Sequence, residues 1–295
     1  MKLPQLKVQQ PSRRQLNVAI NVYVGCDMTS DLHVLPRLNY WTASTMADTE
    51  KIYIVLPPAD HTHTVIFLHG RDSTATEFAE EFFESQASDK RTICEIFPTF
   101  KWVFPNSGSR ISTRFEMDIA QWFDIWSVEE PENRKELQVT GLTESVTFIL
   151  NVIREEASSV PPEHIILGGI SQGCATAIHA LMHYDTQLNG FIGFCGWLPF
   201  QGEIETITRN TTTANPQQEI CSLLKSTSSG SCVSAPGQLH DDPIVLVSNG
   251  KKLYQELNRL GMDVIWTAYA DGGHWINEPQ GVDDMVDFLQ RIITV

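Results

Sequence analysis

No apolar stretch in this 295-residue chain approaches the roughly 20 residues a helix needs to cross a bilayer. Stable membrane insertion is therefore not expected. Positive charge is also scarce: 21 Lys and Arg stand against 36 Asp and Glu, a formal net charge of −15. Phosphate-backbone binding relies on clustered Lys and Arg, so a nucleic-acid partner is not expected. The six cysteines (Cys26, Cys94, Cys174, Cys195, Cys221 and Cys232) are scattered, with no C-x-x-C pair. Free thiols are expected, because a Cys221–Cys232 bridge would require an oxidising compartment. Met1 to Lys7 are not followed by the apolar core of a signal peptide. The expectation is a cytoplasmic protein, in which the sequon Asn210-Thr211-Thr212 goes unused.

What is present centres on Ile165-Ile166-Leu167-Gly168-Gly169-Ile170-Ser171-Gln172-Gly173. The apolar run predicts a strand covered on both faces, and Ala175 to Met182 predicts a helix. Between them, Gly169, Ser171 and Gly173 make G-x-S-x-G, the spacing of a nucleophile elbow. Side chains two residues either side of such a serine would collide, which is why glycines stand there. The following helix N-terminus favours negative charge, and the Gln172 N–H is placed to meet a developing oxyanion.

Strand and helix signals alternate along most of the remaining chain. Strands are expected at Ile52–Leu56, Thr64–Gly70, Trp102–Pro105, Gly190–Trp197 and Asp263–Tyr269. Helices are expected over Thr76–Ala87, Gly141–Glu156 and the last turns beyond Val282. Such alternation implies an α/β fold with a mostly parallel central sheet and helices on both faces. Residues 1–45 lack this regularity and are expected to be a poorly ordered N-terminal extension. The rival reading docks Val18–Val24 as an added strand. Residues 46–295 form one domain with a polar, surface-exposed insertion around 201–239, broken by a short helix near Gln217–Leu224.

A serine hydroxyl needs a base to take its proton, and the base needs an acid to orient it. In sheets of this type the acid and then the histidine follow the serine. Of His179, His183, His240 and His274, the first two lie on the elbow helix. His274 follows the last strand within a glycine-bearing loop and is the candidate base. Asp242, followed by Pro243 and an apolar pair, is the preferred acid, with Asp241 as the alternative. The loop after Leu68-His69-Gly70 offers the Arg71 N–H as a second oxyanion donor, and His69 is expected to be packed, orienting that loop. His61 and His63 have metal-like spacing without a third ligand nearby and are expected to be exposed, so no metal is expected. The aromatic cluster Ala120–Trp126 is either core or one wall of an acyl pocket, with Trp122 and Phe123 as candidate substrate-binding residues.

Several of these stretches (IILGGISQG at 165–173, FLHG at 67–70, QWFDI at 121–125, GWLPF at 196–200, DPIV at 242–245 and Gly273-His274) resemble the phospholipase/carboxylesterase family that includes acyl-protein thioesterases. The resemblance runs from about Met46 to the C-terminus. It implies an α/β-hydrolase fold, a triad of Ser171, Asp242 and His274, and oxyanion donors at Arg71 and Gln172. It also implies hydrolysis of acylated proteins or small esters, with no metal or organic cofactor. One stretch departs from the family: Ser231–His240 is a poor strand where relatives carry an apolar strand before the aspartate. That departure motivates the alternative of an impaired hydrolase-fold protein that binds acyl groups or a protein partner.

Overall fold

The computed structural model describes residues 51–210, 216–226, 245–269 and 273–293, together with the backbone of Asn17–Tyr23. Among the described residues, seven strands form one sheet. They are β1 (Asn17–Tyr23), β2 (Ile52–Val55), β3 (His63–Leu68), β4 (Phe100–Pro105), β7 (Ile165–Ile170), β8 (Gly190–Phe194) and β9 (Asp263–Tyr269). Their order is β2-β4-β3-β7-β8-β1-β9, parallel throughout except for β2 on β4. β5 (Ser109–Ser112) and β6 (Met117–Ala120) make a separate antiparallel pair.

The side-chain alternation of the central strands explains the layers. Val65 and Phe67 join one core cluster, while Ile66 and Leu68 join the other. Likewise Ile165 and Leu167 face one way and Ile166 and Ile170 the other. A strand buried on both faces needs apolar residues at every position, which is what a parallel sheet between helix layers demands. One face is covered by α3 (Gln138–Glu156), α4 (Gln172–His183) and α7 (Val247–Arg259), through residues such as Leu142, Ile149, Ile178, Leu253 and Leu257. The other is covered by α1 (Ala75–Glu84) and α8 (Gln280–Ile293), through Phe78, Phe82, Met285 and Leu289. α1 starts where Thr74 caps it: the Glu77 N–H donates to Thr74 Oγ1 at 3.2 Å, and the Thr74 N–H donates to Glu77 Oε2 at 3.1 Å. Among the described residues no helix is long and apolar enough to cross a membrane.

Two expectations change. An N-terminal extension without a fixed place does not hold for Asn17–Tyr23, whose backbone pairs with β8 on one side and β9 on the other. Its period-two Val18, Ile20 and Val22 suit a strand. The remainder of 1–45 lies outside the described residues, as do residues 227–244, the poor-strand segment 231–240 among them. The polar insertion also carries more helix than expected: α5 (Gln201–Arg209) precedes α6 (Pro216–Ser226). α5 buries Ile204, and a Glu205–Arg209 ion pair spans one turn; its two apolar side chains, Ile204 and Ile207, are too few to betray it by periodicity.

Phe82 is 1% exposed, with ring centres 5.0 Å from Phe67 and 5.3 Å from Trp102. Truncation to alanine empties a cluster that cannot collapse around the hole. Phe82→Ala is expected to lower unfolding free energy by about 3–5 kcal/mol, measured by urea denaturation.

Candidate active site

β7 and α4 deliver Ser171 to the carboxyl end of the sheet, with φ 55° and ψ −122°. Few residues with a side chain adopt that backbone, and here neighbouring structure enforces it. The Ser171 N–H donates to the Phe194 carbonyl of β8 at 2.8 Å, and the Ser171 carbonyl accepts from the Ala175 N–H at 3.1 Å. A Cβ on Gly169 would lie 2.7 Å from the Gly173 carbonyl carbon, and one on Gly173 would run into the carbonyl oxygens of Leu68 and His69. The G-x-S-x-G spacing is thus a packing requirement of this bend.

His274 comes from the loop after β9, and its Nε2 stands 2.9 Å from Ser171 Oγ across 103 residues of sequence. With the ring protonated at Nδ1, the Ser171 hydroxyl donates to Nε2. Two contacts of described residues flank His274 in the chain. The neighbouring Trp275 packs edge-on against Phe78, with ring centres 5.7 Å apart. At the end of β9 the Tyr269 hydroxyl donates to Asp284 Oδ2 of α8 at 2.5 Å, and burial first, then that carboxylate, raises the Tyr269 pKa.

The loop after β3 passes over the bend: a Cβ on Gly70 would touch Ser171 Cβ at 3.5 Å. Arg71 follows, its side chain drawn off to Gln121 Oε1 at 3.2 Å and Ser112 Oγ at 3.3 Å. His69 is fully buried, as expected of a packed residue orienting this loop. Its Nε2 accepts from the Ser107 N–H at 3.0 Å, so Nδ1 carries the proton and donates to the Gly70 carbonyl at 2.7 Å. Burial lowers its pKa to about 4.

Gln172 follows the serine, and its side chain has a role its sequence position did not reveal. It accepts from the Trp122 N–H at 2.8 Å and donates to the Phe123 carbonyl at 2.7 Å, both bonds fully buried. Trp122 Nε1 in turn donates to the His69 carbonyl at 2.9 Å. Trp122 and Phe123 are 0% exposed, so of the two readings of this cluster, core or pocket wall, their burial fits the core. Their rings pack into the core under α3, where a Cβ on Gly141 would lie 2.7 Å from Phe123 Cα. They brace the two loops beside Ser171. No local pattern signals the Gln172 clamp, because its partners lie about fifty residues away.

The remaining candidates fall as follows. Asp242, Asp241 and His240 lie outside the described residues, as do Cys26, Cys232, the Cys221 side chain and the threonines of the sequon. His61 and His63 are half-buried rather than exposed: His61 Nε2 is 3.0 Å from Thr64 Oγ1, and His63 stacks on His164 with centres 4.7 Å apart. Cys94 and Cys174 are buried, unbridged thiols, and burial pushes Cys174 up to about 12.

A parallel sheet between helix layers, with a serine on a strained strand-to-helix bend and an imidazole reaching it from beyond the last strand, defines an α/β-hydrolase fold. The chain belongs to the phospholipase/carboxylesterase family, whose pattern matches residues 49–223. It is similar to acyl-protein thioesterase 1 of Gibberella zeae, 28% identical over 246 residues, covering 81% of this chain and 94% of the relative. The Schizosaccharomyces pombe protein of the same name is 32% identical over 148 residues, half of this chain and 61% of the relative. Among solved structures, Zea mays acyl-protein thioesterase 2 shares the fold with a TM-score of 0.59 at 20% identity, covering 82% of this chain and 98% of that one.

Removing the Gln172 clamp leaves a buried N–H and a buried carbonyl unpaired. Gln172→Ala is expected to lower stability by about 1–3 kcal/mol per orphaned group, read from chemical denaturation. The buried histidines make a second expectation. His69 and His63, both lowered to about 4 chiefly by burial, stay neutral in the fold, whereas the unfolded chain takes up their protons near the ordinary 6.5. Their contribution is complete above pH 6.5 and is lost as pH falls towards 4. The thermal midpoint should fall across that window, and less steeply in His69→Gln.

Proposed function

We propose that this chain is a serine hydrolase that cleaves carboxylic ester or thioester bonds through an acyl-enzyme, with acylated proteins as its principal substrate class. The observation that carries this reading is the 2.9 Å approach of His274 Nε2 to the hydroxyl of Ser171 on its strained bend. The names of the relatives support the substrate class. Ser171 Oγ attacks the acyl carbonyl carbon while His274 Nε2 takes its proton. The tetrahedral oxyanion is held by the Gln172 and Arg71 N–H groups, with the helix N-terminus behind it. Collapse breaks the acyl–sulfur or acyl–oxygen bond, and His274 returns its proton to the leaving thiolate or alkoxide. Water, deprotonated by the same imidazole, then releases the fatty acid and restores Ser171. Asp242 is the proposed partner of His274 Nδ1, its placement argued from sequence.

A fluorophosphonate probe tests the reading: the unmodified chain should label and Ser171→Ala should not. Hydrolysis of an S-palmitoyl peptide should fall by about 10³-fold or more in His274→Gln and about 10⁴-fold in Asp242→Asn. Well-folded protein that neither labels nor hydrolyses would instead favour an acyl- or protein-binding role.

A further inference from the structure

β9 carries the His274 loop, yet it stands at the end of the sheet and is joined to the remaining strands only through β1 among the described residues. The pairing is long on this side: Asn17 lies opposite Asp263 and Tyr23 opposite Tyr269, seven consecutive parallel partners. On the other side Asn17 to Asn21 lie opposite Gly190 to Phe194. Phe194, the last of these, is the residue whose carbonyl accepts from the Ser171 N–H. One strand therefore connects the backbone that grips the serine to the backbone that presents the histidine. The connection from β8 to β9 contributes helices and no strand among the described residues. Helices α7 and α8 pack against β1 as they would against any interior strand.

We infer that Asn17–Tyr23 is a positioning strand for the His274 loop, and that the separation of Ser171 from His274 depends on it. Neighbouring strands lie about 4.8 Å apart, so β8 and β9 are separated by roughly twice that with β1 between them. Were β1 displaced and the sheet to close, β9 and its loop would travel about 4.8 Å, beyond the ~3.2 Å reach of a proton-transferring hydrogen bond. Misplacement by even about 1 Å can cost 10²-fold. The alternating Val18, Ile20 and Val22 make this segment a better strand by composition than Ser231–His240, the stretch just before Asp241 and Asp242. The consequence for activity rests on the proposed role of His274, whereas the consequence for the sheet does not.

The two parts separate experimentally on the full chain. Hydrogen exchange on the unmodified protein should find the amides of 17–23 and 263–269 both protected. Ile20→Pro, which removes a ladder hydrogen bond from an interior strand, should speed exchange in 263–269 while α4 stays protected. It should also slow fluorophosphonate labelling of Ser171 by at least about 100-fold. Unprotected amides at 17–23 in the unmodified chain overturn the inference, and that measurement decides even if the proline variant does not fold. So does an Ile20→Pro protein that labels at the unmodified rate with 263–269 still protected. If the unmodified chain fails to label at all while 17–23 and 263–269 are protected, the hydrolase reading falls and the structural role of β1 stands.

Discussion

At Ser171 the chain must turn from a strand into a helix within one residue, at φ 55°, directly beneath the loop that follows β3. Everything near the site is arranged around that bend. Gly169 and Gly173 lack side chains because backbone occupies the space on both sides. The β8 carbonyl at Phe194 holds the serine amide, and Gln172 ties the elbow helix to the backbone of Trp122 and Phe123. A strained residue persists only where its surroundings over-determine it. Here those surroundings are two strands, a helix and two loops, each buried.

The same logic accounts for the histidines. His69 is buried with both ring nitrogens engaged, and burial keeps it neutral, so it joins the loops at Gly70 and Ser107 and has no proton to exchange with the bend. His179 is likewise enclosed on the elbow helix, with Nε2 3.0 Å from the Pro199 carbonyl and its pKa lowered to about 3, chiefly by burial. His274, half-exposed at the mouth of the sheet, reaches the serine hydroxyl. Burial and partners, rather than the identity of the side chain, enclose two of the three imidazoles and leave the third against the serine hydroxyl.

Legibility followed the range of the interactions. The bend was readable because its steric demand falls on residues two apart, Gly169 and Gly173. The strands at Ile165 and Thr64 were readable because double burial demands unbroken apolar runs. His274 could be singled out because the strand pattern left it alone at the right end of the sheet. The antiparallel pair of β5 and β6 went unseen, since Ser109–Ser112 and Met117–Ala120 are too short and too exposed to alternate cleanly. Trp122 and Phe123 were open to two readings, and complete burial decided for the core.

The sequence alone determined the class of the sheet, the nature of the bend and the residue types meeting there, because each follows from contacts within a few residues or from simple periodicity. Tertiary structure decided the rest: that Asn17–Tyr23 enters between β8 and β9, that Gln172 clamps a loop fifty residues away, and that His274 comes within 2.9 Å of Ser171. Those outcomes depend on which strands lie side by side. A strand's propensity says that it will pair, but its partner is chosen by whichever edge remains open and whichever helices cover it.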